Sequence, residues 1–161
     1  MKGAEMKRII CVLLILCVLP VCAFSETLDM SVVLYNSMAE ILGISELPKD
    51  YNTERQENGK ERYTFDISDS LKCIFAVNNG NVEGCTVVCF YATEYVEFIA
   101  MCMSAAFAVA PDDSLSMYPG ILFQFYDVRA GKEAKYGYYK NATYHVSSLG
   151  GERMAFIIAG D

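Results

Sequence analysis

Cysteine, histidine and paired carboxylates are the residues here whose chemistry depends on spacing. Seven cysteines occur; those at 11, 17 and 22 lie in an apolar N-terminal stretch, leaving Cys73, Cys85, Cys89 and Cys102. The intervals of 11, 3 and 12 residues between these four lack the short paired knuckles of a structural zinc site. His145 is the only histidine. A metal site built on it would draw every other ligand from thiolates or carboxylates, and none is spaced for that nearby. As a general base, His145 would have to meet one of the four cysteines in space. Those cysteines sit inside apolar runs, such as Leu71-Lys72-Cys73-Ile74-Phe75 and Met101-Cys102-Met103. There a thiol serves as a small buried hydrophobe rather than an activated nucleophile. These groups assign no metal, cofactor or catalytic residue.

Bridging is the other chemistry open to thiols, and an even number in an exported chain favours it. Alternation puts Leu71, Cys73, Phe75 and Val77 on one strand face. If the turn at Asn78-Asn79-Gly80-Asn81 joins the two strands with odd positions facing odd, Cys85 comes opposite Cys73 or one diagonal step away, and Cys89 falls on the same face. Cys102 lies on a helical stripe suited to cover that face. The expectation is that any intramolecular bridge joins Cys73 to Cys85, or Cys89 to Cys102, and that unbridged members are buried.

Asp112-Asp113 and the Asp66/Asp69 pair could do acid–base work, but both stand beside turn or cap signals, where aspartate hydrogen-bonds the backbone. The sequence has no glycine-rich phosphate loop, no Gly-x-Ser-x-Gly elbow and no His-Glu-x-x-His helix. Asn141-Ala142-Thr143 matches a glycosylation sequon, which matters only in a eukaryotic secretory pathway. Tyrosines are the residual signal. Tyr136, Tyr138, Tyr139 and Tyr144 crowd one hairpin, just after Tyr118 and Tyr126. Tyrosine supplies large apolar area with a polar tip, which suits a binding surface, although cross-strand packing uses aromatics in the same way. Tyr138 and Tyr139 must face opposite sides of a regular strand.

The N-terminus gives the address. Lys2, Lys7 and Arg8 precede an apolar run from Ile9 to Phe24, and Ala23 and Ser25 supply small residues at a cleavage site. This is the pattern of a secretory signal peptide over residues 1–25, cut after Ser25 or after Ala23. The run is 16 residues long, short of the roughly 20 of a spanning helix, and Pro20 breaks it near its end. A retained anchor and lipid attachment at Cys22 are the alternatives, the second disfavoured by Val21 before the cysteine. Removing the leader takes three basic residues and one acidic residue from totals of 13 and 20, leaving 10 against 19 and a formal charge of −9 rather than −7. Such a chain is repelled by nucleic-acid phosphates and anionic membrane surfaces.

The remaining 26–161 suits one domain. Asp29 to Gly43 has a helical apolar period, with Asp29 as cap and Gly43 just past the end. Ser45 to Lys60 is polar and without period, so it reads as a surface loop. Three strands follow: one through Tyr63, Phe65 and Ile67, one from Leu71 to Val77, and a third from Glu83 to Ala92 that is apolar on both faces, as a central strand would be. Glu94 to Ala110, with Thr93 as cap and Pro111 as stop, reads as a buried core helix. Pro119-Gly120 interrupts the next stretch, placing a short helix near 120–129. Strands at 134–139, 142–148 and 153–159 end the chain.

Runs of adjacent strands with segregated helices predict an α+β fold: an antiparallel sheet of about six strands with two or three helices on one face, in an order compatible with a tandem αβββ arrangement. The leader, the missing catalytic constellation and the tyrosine-rich hairpin together predict an exported, non-catalytic domain that binds a protein or cell-envelope component. The alternatives are a small secreted hydrolase or thiol enzyme, and a carrier of a small apolar ligand held between the second helix and the sheet.

Overall fold

Thr27 opens the described part of the computed structural model, which covers residues 27–160; the signal peptide expected at residues 1–25 lies outside it. Helix α1 spans Leu28–Leu42, and its cap is Thr27, whose Oγ1 accepts a hydrogen bond from the Met30 amide at 3.4 Å. Asp29, expected as the cap, stands instead in the first turn, where its charge still meets the positive end of the helix. Gly43 ends the helix in the left-handed conformation at φ 71°, as the sequence predicts. Leu34, Tyr35, Met38 and Ala39 form the buried stripe.

The polar stretch after α1 departs from expectation. Part of it is a strand, β1 (Asn52–Arg55), paired antiparallel to β2 (Glu61–Asp66) with Asn52 opposite Thr64 and Arg55 opposite Glu61. All four β1 residues are exposed, so an edge strand formed by backbone pairing leaves no apolar period to detect. β3 (Leu71–Asn78) and β4 (Asn81–Cys89) complete a meander. Asn79 and Gly80 turn the β3–β4 hairpin with φ of 52° and 83°, the positive values a two-residue turn needs. A bulge follows: Val77 pairs with Val82, but Ala76 pairs with Gly84, so Glu83 is the extra residue.

A short 3-10 turn (Ala92–Glu94) leads into α2 (Tyr95–Val109). The Ala92–Val109 segment is long and apolar enough to cross a membrane by composition, yet Phe98, Met101, Cys102 and every residue from Ser104 to Val109 are buried against the rest of the fold. The next helix, α3, starts earlier than Pro119 implied and runs unbroken over Ser114–Arg129. Pro119 removes the amide that would bond Leu115, and Leu115 is exposed, where water can take its carbonyl. Met117, Ile121, Phe125 and Val128 bury the α3 stripe.

β5 (Tyr136–Tyr139), β6 (Ala142–Gly150) and β7 (Arg153–Gly160) form a second meander. All seven strands join one antiparallel sheet in the order β1-β2-β3-β4-β7-β6-β5. The fold is α+β, with the helices on one side. Each half is a helix-led meander whose last strand is central, and β4 pairs with β7 at the seam. The helix-covered face carries Phe65, Leu71, Phe75, Val77, Val87, Val146, Phe156 and Ile158, all buried. Among the described residues no element lies over the opposite face.

Candidate functional site

Tyr136 and Tyr138 stand on that open face, 63% and 76% exposed. Their rings lie side by side, centroids 6.5 Å apart and planes inclined at 37°. Tyr136 pairs across the strands with His145, and the imidazole stacks on its ring at 4.5 Å and 18°. The His145 Nδ1 lies 3.1 Å from the Lys135 carbonyl; a carbonyl only accepts, so that nitrogen carries the proton. Next along this row, His145 faces Ile157, which is exposed, and Ile157 faces Thr86. The neighbouring row runs from Tyr138 through Thr143 and Ala159 to Gly84 and Ala76. From Thr143 to Ala76 the second row consists of small uncharged side chains, so the tyrosines stand above a low floor; charge enters that row only beyond Ala76, at the paired Arg62 and Glu54.

The tyrosines therefore do not act together. Tyr139 and Tyr144 point to the helix side, as alternation requires. Tyr139 is half-buried with the Lys140 ammonium 5.6 Å from its ring centroid. Tyr144 is buried, and its ring occupies space that a Cβ at Gly120 on α3 or at Gly137 on β5 would need. It is a packing residue. Tyr118 donates from its hydroxyl to the Met103 carbonyl at 3.3 Å, and burial pushes its phenol up to about 12. Tyr126 is exposed and meets Phe125 edge-on.

Cys73, Cys85, Cys89 and Cys102 are buried free thiols. Cys73 pairs with Val87 and Cys85 with Phe75, which sets the two cysteines one diagonal step apart with their sulfurs 3.4 Å from each other. Burial foremost, then the neighbouring Cys85, raises the Cys73 thiol well above its ordinary value. Cys89 donates to the Tyr91 carbonyl at 3.1 Å, and Cys102 is raised by burial. These are inert thiols rather than activated ones. His145 is on the open face while Cys73, Cys85 and Cys89 are on the covered one and Cys102 is on α2 above it, so the sheet itself stands between any of them and the imidazole.

The carboxylate pairs are also divided. Asp66 binds Lys72 at 2.7 Å, and Asp113 reaches Lys140 at 3.5 Å. Asp69 and Asp112 do not share in these ion pairs. Among the described residues no group of three or more histidine, cysteine or acidic side chains is placed to hold a metal. A groove of about 280 Å³ opens beside α1, lined by Leu28, Val32, Leu47, Tyr51 and Phe65 among others. It lies away from α2 and falls just below the usual range of ligand pockets.

Reasoning from the sequence did not connect His145 and Ile157 with the tyrosines. The signal was available, because a two-residue turn at Lys140-Asn141 puts Tyr139 opposite Ala142 and hence Tyr136 opposite His145. Comparison with family models, curated proteins and solved structures gives no match for this chain.

Proposed function

We propose that this protein is an exported, non-catalytic domain that binds a protein or cell-envelope component on the open face of its sheet. The observation that carries the reading is the exposed Tyr136–Tyr138 pair, set against the His145 stack on a face that no described helix covers. Two large, stiff aromatic side chains on a regular strand present contact area at low entropic cost. The uncharged floor beside them fits a partner recognised by shape and apolar contact rather than by charge. Export rests on the leader at residues 1–25, and the expected mature N-terminus is residue 26 or residue 24.

Co-sedimentation of the purified protein with envelope fractions tests the reading. Tyr136→Ala combined with Tyr138→Ala is expected to weaken binding at least tenfold while circular dichroism stays unchanged, since neither ring is part of the core. Ser148→Ala, at the far end of β6, serves as the control and is expected to bind normally. Equal binding by the tyrosine variant and the parent chain would remove the assignment of this face.

A further inference from the structure

We propose that Cys73 and Cys85 are a dithiol pair that closes to a cross-strand disulfide and so locks the register of the β3–β4 hairpin. The sulfurs are 3.4 Å apart, at contact distance, against about 2.05 Å in a disulfide. Closing the pair takes about 1.4 Å of sulfur movement, and because diagonal neighbours stand roughly 7–8 Å apart, wider than the roughly 4.4–6.8 Å Cα separation of a disulfide, the two strands must also draw together locally. The hairpin is built to produce this meeting. Its two-residue turn alone would set odd residues opposite even ones, as in Val77 opposite Val82, and Cys85 would point to the open face. The bulge at Glu83 shifts the pairing by one residue, and a one-residue slip moves every later side chain to the other face. Asn78 and Lys60 hold the Glu83 carboxylate on either side, which pins the bulge.

The oxidant is a disulfide of another molecule, either a protein dithiol oxidase or a small-molecule disulfide. The thiolate of one cysteine attacks it, forming a mixed disulfide and releasing the first thiol. The second cysteine thiolate then attacks the mixed disulfide and releases the other thiol. Two electrons pass to the oxidant, its S–S bond breaks, the Cys73–Cys85 bond forms, and the two protons end on the released thiols. Both cysteines are almost wholly buried, so an oxidant reaches them while the chain folds and not through the finished surface. The same shielding protects the bridge from reductant once the helices cover it.

The test uses the full-length chain, reduced in denaturant and refolded into a mixture of oxidised and reduced glutathione. Free thiols are then alkylated in denaturant and the peptides mapped. The expected result is one peptide pair joining Cys73 to Cys85, with Cys89, Cys102 and the three N-terminal cysteines, Cys11, Cys17 and Cys22, alkylated. The bridge should survive dithiothreitol in native buffer and be lost when denaturant is added. A full-length Cys89→Ala/Cys102→Ala variant, which keeps the pair, should form the same bridge. Natively folded chains with Cys73 and Cys85 both alkylated, or with Cys85 bridged to Cys89 or Cys89 to Cys102, would overturn the proposal.

Discussion

Tyr35 is fully buried on α1 with its hydroxyl lacking any hydrogen-bond partner among the described residues, and Ser31, one turn earlier on the same face, has a buried hydroxyl in the same condition. Burial, and after it the nearby Cys73, Cys85 and Cys102, raises the Tyr35 phenol well above its usual value. An unpaired buried hydroxyl carries a desolvation cost of about 1–3 kcal/mol. Removing it without changing the ring should therefore help. Tyr35→Phe is expected to raise unfolding stability by about 1 kcal/mol, read as a higher denaturation midpoint at unchanged slope. A lower midpoint would show that water bonds the hydroxyl in solution. Glu83 is the opposite case, a polar group with two partners. Its hydrogen bonds from Lys60 and then Asn78 hold its carboxyl below the ordinary range. A depressed folded-state value means that stability is present above the unfolded value and declines as pH falls through the folded one. Glu83→Gln should flatten the acid limb of a stability–pH profile while leaving its neutral-to-alkaline shape alone. An unchanged acid limb would show that Glu83 does not set it. The sequence showed the Asn-Gly turn but not this bulge, because a bulge is recognised by the pairing of two strands and leaves no mark on one.

At the scale of elements, three glycines decide how closely strands and helices meet. Gly84 lies beside the bulge, and a Cβ there would sit 2.5 Å from the Ile158 carbonyl oxygen on β7. Backbone cannot swing aside as a flexible side chain can. Gly84→Ala is expected to cost about 1–3 kcal/mol. Gly137→Ala should cost a similar amount by another route, since its methyl would take the place of the Tyr144 ring, which Gly120 of α3 hems in from the other side. Thermal melts of both variants check this, and a loss confined to Gly84→Ala would mean that Tyr144 can repack. Core elements were legible in the sequence because burial imposes a period: Cys73, Phe75 and Val77 alternate as a covered strand must, and the α2 residues are apolar nearly all round. β1 was not legible, because Asn52-Thr53-Glu54-Arg55 is exposed throughout and joins β2 by main-chain pairing with only polar side-chain contacts, Asn52 to Asp66 and Glu54 to Arg62, beside it. The early start of α3 was hidden by Pro119, whose missing bond falls at an exposed turn. Parity foretold that Tyr138 and Tyr139 would part. It did not foretell that Tyr144 would fill two glycine gaps and so belong to the core.

At the scale of the whole molecule, the two meanders meet only where β4 pairs with β7, and α2 packs over both of these strands. Neither half closes its core alone, because α2 touches α1, α3, β4 and β7 together. Opening one half would expose the apolar side of α2 and leave a row of central-strand amides unpaired, so the halves should unfold as one cooperative unit. The edges differ. β1 and β5 are four residues long and paired on one side only, and local fraying there disturbs little of the core. Amide hydrogen exchange should therefore be slowest, and governed by global unfolding, in β4, β7 and α2. It should be fastest among the strands in β1 and β5. Fraying of β5 also bears on the open face, since Tyr136 and Tyr138 both lie on that strand. A partner bound there should slow exchange in β5 far more than in β1. If β5, β6 and β7 instead exchanged as one block ahead of β2, β3 and β4, the seam would be weaker than its position between two meanders implies.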